Sequence, residues 1–548
     1  MIKKWIPVVI ALVILTGCQV PDENQNVEAM GTEQEEKVVI EQATNQEANE
    51  QKTSKQETQE TQETDERIHS DSTDLVSAKP FLMTTDTNGL KKEDLDVYNI
   101  RLYFDPDQKT LACEQRVVYK NKEDLDLDTL VFQVLPNAYK SLETAPVLFG
   151  DIDSIYPNGF GEGYIDFSEV KVDGKLAEYS FYGADDTLMS IDLESSMAPE
   201  ESVEIEMVYT VKIPPAFDRF GYNDTTFNIA NWYPVAAVYD KGWKEDTYLP
   251  IGDPFYTDMA SYKVVYNVPI NYEIASTGVR SKLEYDEADR KIITYEADFV
   301  RDTAWLASDS WNVYSEEVDG TMIRSYYFGE QNFSSDKAIE TARHSLEIFN
   351  GIYGPYPYSE LAVVATDFPS GMEYPTIVMI AKDRYKASRL NALESVIAHE
   401  IGHQWWYGVV GNDQIDEAWL DESLTVFSTA QFFGQKYGED AYESYVNSYR
   451  NRYENRKSED GDGVVSKPLT EFENWSDYSN LVYRKGMLFI DALCDEYGKE
   501  NVLDFMKNYY EAYKFKTATT DDFIRLGVLY FGDDFKDLAD VWIFNGVN

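Results

Sequence analysis

The segment His399-Glu400-Ile401-Gly402-His403, followed after eighteen intervening residues by Glu422, constrains this chain more than any other feature. On a helix, positions i and i+4 lie one turn apart on the same face, so both imidazoles reach one point. The chain has only four histidines, and two of them fall in this pentapeptide. Alone, the pentapeptide is also compatible with a helix face carrying two surface histidines and a solvated glutamate. Glu422 decides between the readings. It opens a second helix at Trp419-Leu420-Asp421-Glu422-Ser423, which packs on the first and presents a carboxylate to the same point. Two histidines and a glutamate leave a fourth tetrahedral position for water, the pattern of a catalytic rather than a structural Zn2+, one per chain. Glu400 then stands beside the metal without coordinating it, where a general base is required.

Around this core the chain divides into regions of different character. Its 548 residues include 48 Lys+Arg and 99 Asp+Glu, a net charge of −51, which excludes nucleic acid as a partner. Three cysteines exclude a disulfide-built scaffold, and Cys113 and Cys494 read as lone buried thiols. Met1-Ile2-Lys3-Lys4 and the apolar run Trp5 to Leu15 have the length of a signal-peptide core rather than a membrane span. The following Leu15-Thr16-Gly17-Cys18 resembles a bacterial lipoprotein lipobox. That resemblance implies cleavage after residue 17, lipidation of Cys18 and a lipid-anchored protein on the extracytoplasmic face of a cell membrane. Residues 18–85 read as a disordered acidic tether rich in Gln, Glu and Thr, spanning on the order of 40–45 Å. The tether to Pro80 carries only about −11, so about −42 remains on the folded body. Alternating β-branched and aromatic residues predict an antiparallel β domain over 86–312, and helical periodicity predicts a mainly helical domain over 313–548. A helix is expected from Ser335, as N-cap, to Tyr353.

The spacing His-Glu-x-x-His, eighteen residues, then Glu within Trp-Leu-Asp-Glu resembles the zinc aminopeptidases related to aminopeptidase N, a branch of the gluzincins. Ser370-Gly371-Met372-Glu373-Tyr374 resembles that family's Gly-Ala-Met-Glu-Asn motif, and Tyr483-Arg484-Lys485-Gly486 its Tyr-x-Lys-Gly segment. The resemblance implies an α+β multidomain chain, with a saddle-like antiparallel β domain preceding a thermolysin-like catalytic domain. It implies that His399, His403 and Glu422 hold the zinc and that Glu400 is the general base. Glu373 would hold the substrate's free N-terminus, with Gly371 and Met372 aligning its backbone, and Tyr483 would donate to the oxyanion. The partners implied are peptides with a free amino end. Tyr374 stands where the family has asparagine, which predicts an altered first subsite. Thr429 stands where many members carry an acid seven residues after the glutamate ligand, leaving the support of the ligands unassigned.

Two other readings share these motifs. One is a zinc endopeptidase with an open cleft, and the other is a non-catalytic, surface-binding lipoprotein that kept the fold.

Overall fold

The computed structural model describes residues 76–545, apart from residues 78, 184–185 and 287–288. The expected signal segment, Cys18 and the tether as far as residue 75 lie outside the described residues. The last part of the expected tether is packed. Phe81 is buried and stacks on Tyr358 with ring centroids 4.9 Å apart, and the Met83 amide donates to the Pro357 carbonyl. This stretch carries Phe81, Leu82 and Met83, an apolar run led by an aromatic that the Gln- and Glu-rich tether before it lacks, and that is what packs it onto the folded body.

The chain is two-domain α+β. The first domain is built on an eight-stranded sheet in which Asp96–Asp105 pairs with Thr110–Lys120, and that strand with Ser202–Lys212. Along Asp96–Asp105, residues 98, 100, 102 and 104 are buried, the period-two pattern of a strand with one face on a core. The expected antiparallel pairing has one exception in this sheet, because Asp96–Asp105 runs parallel to Ala260–Pro269. Two four-stranded sheets complete the domain.

The architecture changes between Ser308 and Trp311. Five strands form the sheet of the second domain in the order Trp311–Val318, Thr321–Phe328, Glu360–Thr366, Ile377–Ala381 and Gly371–Met372. The central strands are buried on both faces, as their continuous apolar runs require. Gly371–Met372 forms the outer edge, antiparallel to Ile377–Ala381. Helices follow, including Phe333–Ile352, the histidine helix Leu390–Gly402, the glutamate helix Trp419–Tyr437 and Glu439–Asp460. The helix expected from Ser335 begins two residues earlier. Asn332 is its N-cap, accepting from the Ser334 and Ser335 amides, while the Ser335 hydroxyl accepts from the Asn332 amide. Both residue types cap well, and the reciprocal pair puts the asparagine outside the helix.

The domains are fastened by buried groups. Arg301, only 2% exposed, leaves the first domain and donates to the carbonyls of Thr257, Tyr407 and Lys516. A Cβ on Gly411 would lie 1.9 Å from its guanidinium carbon, so the loop after the histidine helix closes over it only because glycine stands there. Cys113 and Cys494 are free thiols, buried and half-buried respectively.

Candidate active site

The histidine helix buries Leu393, Ile397 and Ile401, one residue per turn, against the sheet. His399 and His403 thereby face the glutamate helix. Their Nε2 atoms are 3.2 Å apart, and they lie 3.3 and 3.4 Å from Glu422 Oε2. Ligands about 2.0–2.1 Å from a zinc ion in tetrahedral geometry are about 3.3–3.4 Å from one another, so the three atoms match one face of that tetrahedron. Glu422 Oε2 is buried and makes no hydrogen bond among the described residues, which leaves it a lone pair for a cation. His403 Nδ1 faces the Trp406 carbonyl at 3.3 Å and the Thr425 hydroxyl at 3.2 Å. A carbonyl only accepts, so Nδ1 carries a proton, and in the neutral ring this leaves the Nε2 lone pair pointing into the site. The residue supporting this ligand is thus Thr425. Thr429 donates instead to the Thr425 carbonyl, at 2.9 Å, one turn behind.

Burial opposes charge throughout the cluster. It pushes the Glu400 carboxyl up to about 8, and Glu373 and Asp253 also rise, mainly through burial. Burial works against the His403 imidazolium as well, yet Glu373 and Glu422 together hold its pKa well above normal. Glu422 goes the other way: burial raises it, but the charge of His403 and the close approach of both imidazoles together lower it. A crowded set of carboxylates around two imidazoles is a site that lacks positive charge, which a divalent metal supplies.

Of the remaining expected residues, Gly371, Glu373 and Tyr483 line the same cleft, of about 970 Å³, and Met372 does not. Gly371 packs so closely on Glu400 that a Cβ there would lie 1.9 Å from Glu400 Oε1. Met372 Sδ lies 3.2 Å from the Arg219 guanidinium. Glu373 is 4% exposed and its Oε1 makes no hydrogen bond among the described residues. Tyr483 stacks on His399, with centroids 6.0 Å apart, and its hydroxyl donates to Glu422 Oε1. Its segment Ser479–Lys485 is wound in wide π turns, and Gly486 lets it approach the glutamate helix, because a Cβ there would lie 2.0 Å from Ser423 Oγ. Tyr374 does not line the cleft. It is buried on Phe255, and its hydroxyl donates to Asn231 at 2.8 Å, so the expected change to the first subsite does not arise from its direct contact.

Three contributors had no sequence signal. Asp253 of the first domain lines the cleft and is paired with buried Arg219 at 2.8 Å. Gln404, fully buried, accepts from the Thr376 amide and donates to the Glu373 and Tyr374 carbonyls, clamping the backbone that carries Glu373. Tyr478 is buried beside Tyr483, and its hydroxyl makes no hydrogen bond among the described residues. Only the position of Gln404, directly after His403, could have drawn notice.

Comparison with known proteins agrees with this geometry. Residues 337–542 match the family profile described as the Peptidase family M1 domain. Leukotriene A-4 hydrolase of Xenopus laevis is 29% identical over 210 residues, covering 36% of this chain and 33% of that protein. Human aminopeptidase B is 27% identical over 201 residues, covering 35% of this chain and 30% of its own length. The chain therefore spans about a third of the curated relatives it matches. Among solved structures, a variant M1 zinc metallopeptidase from Deinococcus radiodurans aligns with a TM-score of 0.58 at 15% identity, covering 82% of this chain and 94% of that one. A two-domain M1 zinc metallopeptidase bound to L-arginine aligns with a TM-score of 0.59 at 15% identity, covering 83% and 94%. Both show the same two-domain fold.

Proposed function

We propose that the protein is a zinc aminopeptidase of peptidase family M1, whose domain profile residues 337–542 match, and that it removes N-terminal residues from peptides. The observation that carries this reading is Glu373, a buried carboxylate with an unpartnered oxygen, beside Asp253 and two residues from the glycine that touches Glu400. A buried carboxylate left without a partner is costly, and a substrate ammonium ion supplies both charge and hydrogen bonds.

Zinc held by His399, His403 and Glu422 would supply Lewis acidity and lower the pKa of a nearby water. The chain's own residues do the rest. Glu373 fixes the amino end, and Met372 and Gly371, on the sheet edge, offer backbone groups to an added strand. Glu400, held in place by its packing on Gly371, takes the proton of the attacking water and delivers it to the leaving amine. Tyr483, whose hydroxyl already lies against Glu422, donates to the carbonyl oxygen as negative charge develops there.

The test compares a free-amine peptide with its N-acetylated twin. Loss of cleavage on acetylation is expected, whereas equal rates would replace this reading with a zinc endopeptidase. The reading extends to the cell surface: the sequence around Cys18 supports export and lipid anchoring, and Cys18→Ser should release the protein from the membrane fraction.

A further inference from the structure

The cleft continues past its catalytic end. Arg384, from the turn Lys382–Tyr385 ahead of the histidine helix, lines both the cleft and an adjoining groove of about 1670 Å³. Phe368 is shared in the same way. The groove lies over the ends of the strands Thr321–Phe328, Glu360–Thr366 and Ile377–Ala381, with Tyr327 and Phe328 among its apolar walls.

Its charge is opposite to that of the molecule. Lys382, Arg384, Lys386 and Arg389 line it, against only Asp367 and Asp383, in a chain of net −51. Lys382 pairs with Asp367, and Lys386 and Arg389 both pair with Asp383, so the two carboxylates leave an excess of positive charge. The Lys386 side chain is 65% exposed within this excess.

The order of residues along the sheet edge says which part of a peptide arrives there. Glu373 marks the amino end, and Gly371, against Glu400, marks the bond to be cut. Continuing in the same direction leads through Ser370 to Pro369 and Phe368, and these last two line the groove. Residues 367–370 bend away from the strand, and Phe368 and Arg384 line both cleft and groove, so the groove opens directly beyond the cleft on the leaving side of the cut bond.

We propose that this groove is a downstream exosite that receives a carboxylate of the peptide substrate, from its C-terminus or an acidic side chain, beyond the bond cleaved. The inference rests on the aminopeptidase reading above. A cation-lined pocket on an anionic protein selects among tails that the cleft itself does not distinguish, and it holds the peptide in the direction that places its amino end on Glu373.

Four hexapeptides sharing their first three residues test this with the full-length, zinc-loaded protein. Their ends are a free acid, a neutral amide, an amide with glutamates at the last two positions, and an amide with lysines there. We expect kcat/KM about tenfold higher for the acidic tails than for the neutral amide at about 50 mM salt, chiefly through KM, and lowest for the lysine tail. The ratio should shrink to within about twofold at about 0.5 M salt and in the double variant Lys386→Gln, Arg389→Gln. Ratios are taken within each protein, so a general loss of activity cancels. Preference for the free acid alone assigns the groove to the C-terminus, and preference for both acidic tails assigns it to any carboxylate. Equal kcat/KM for all four peptides overturns the proposal. If no peptide is cleaved, the proposed function itself fails. Titrating the same four peptides into Glu400→Gln protein then still decides on the groove: about tenfold tighter binding of acidic tails supports it, and equal binding overturns it.

Discussion

At position 371 a single methyl group would press on the proposed general base. Gly371→Ala places a carbon against Glu400 Oε1, so the carboxylate must move from the position that carries the proton. We expect kcat to fall by about 10²-fold or more, with zinc content by elemental analysis unchanged, as misplacement of a reacting group by about 1 Å does. Tyr483→Phe removes a donor from beside Glu422 and should lower kcat by about 10²–10³ with a smaller change in KM, as loss of an oxyanion donor does. A near-wild-type kcat would remove Tyr483 from the account. At this scale the metal ligands were legible because their chemistry fixes their spacing along one helix and the next. Asp253 and Gln404 were not, because nothing local in an aspartate on a loop or a glutamine after a histidine announces the side chain it will meet across the fold. The basic groove was hidden for the same reason: its charges sit in an acidic chain, and only folding gathers them beside Phe368.

Elements carry a second set of consequences. The π-wound segment Ser479–Lys485 is held to the glutamate helix by the Ser423 hydroxyl, which donates to the Val482 carbonyl at 2.7 Å. Gly486→Ala would drive a carbon into that hydroxyl, and we expect it to cost about 1–3 kcal/mol in chemical denaturation. It should also lower kcat, because Tyr483 retreats with its segment. Lys485, fully buried, anchors the same segment by pairing with Asp462 at 3.0 Å and donating to the Gly463 carbonyl at 2.6 Å. The glycine and lysine of the Tyr-x-Lys-Gly resemblance therefore have structural reasons of their own. Helix periodicity announced a mainly helical domain but not the π winding of Ser479–Lys485, which precedes the helix Gly486–Tyr497. That irregularity is set by tertiary contacts rather than by local preference. The N-cap at Asn332 shows the same limit on a smaller scale, since two adjacent serines offer equally good signals.

For the whole molecule, the buried junction of the two domains sets a dependence on pH. Burial raises Asp302 to about 7 even though the Tyr407 hydroxyl donates to it at 2.7 Å. The ordinary value is about 3.9, so between about pH 4 and pH 7 the folded protein holds a proton that the unfolded chain releases. The stability it contributes is therefore full below about pH 4, is lost as pH rises to about 7, and stays constant above. This group alone accounts for on the order of 4 kcal/mol at most. Asp302→Asn keeps the acceptor for Tyr407, and we expect it to raise Tm at pH 8 relative to wild type, to raise it less at pH 5 and to leave it nearly unchanged at about pH 4. Chelation acts on the other buried charges. Removing the cation that fits His399, His403 and Glu422 leaves their carboxylate neighbours facing one another, so EDTA should abolish activity and lower Tm, both restored by zinc. Arg301 adds an order in time. A ribosome delivers Asp253 and Arg301 first, the histidine and glutamate helices next, and Lys516 later still, yet the guanidinium is satisfied only when the carbonyls of Thr257, Tyr407 and Lys516 have all arrived. Until then Arg301 lacks its full set of acceptors. On the proposed function, the nascent chain therefore stays silent until the segment that carries Lys516 has been made and has docked.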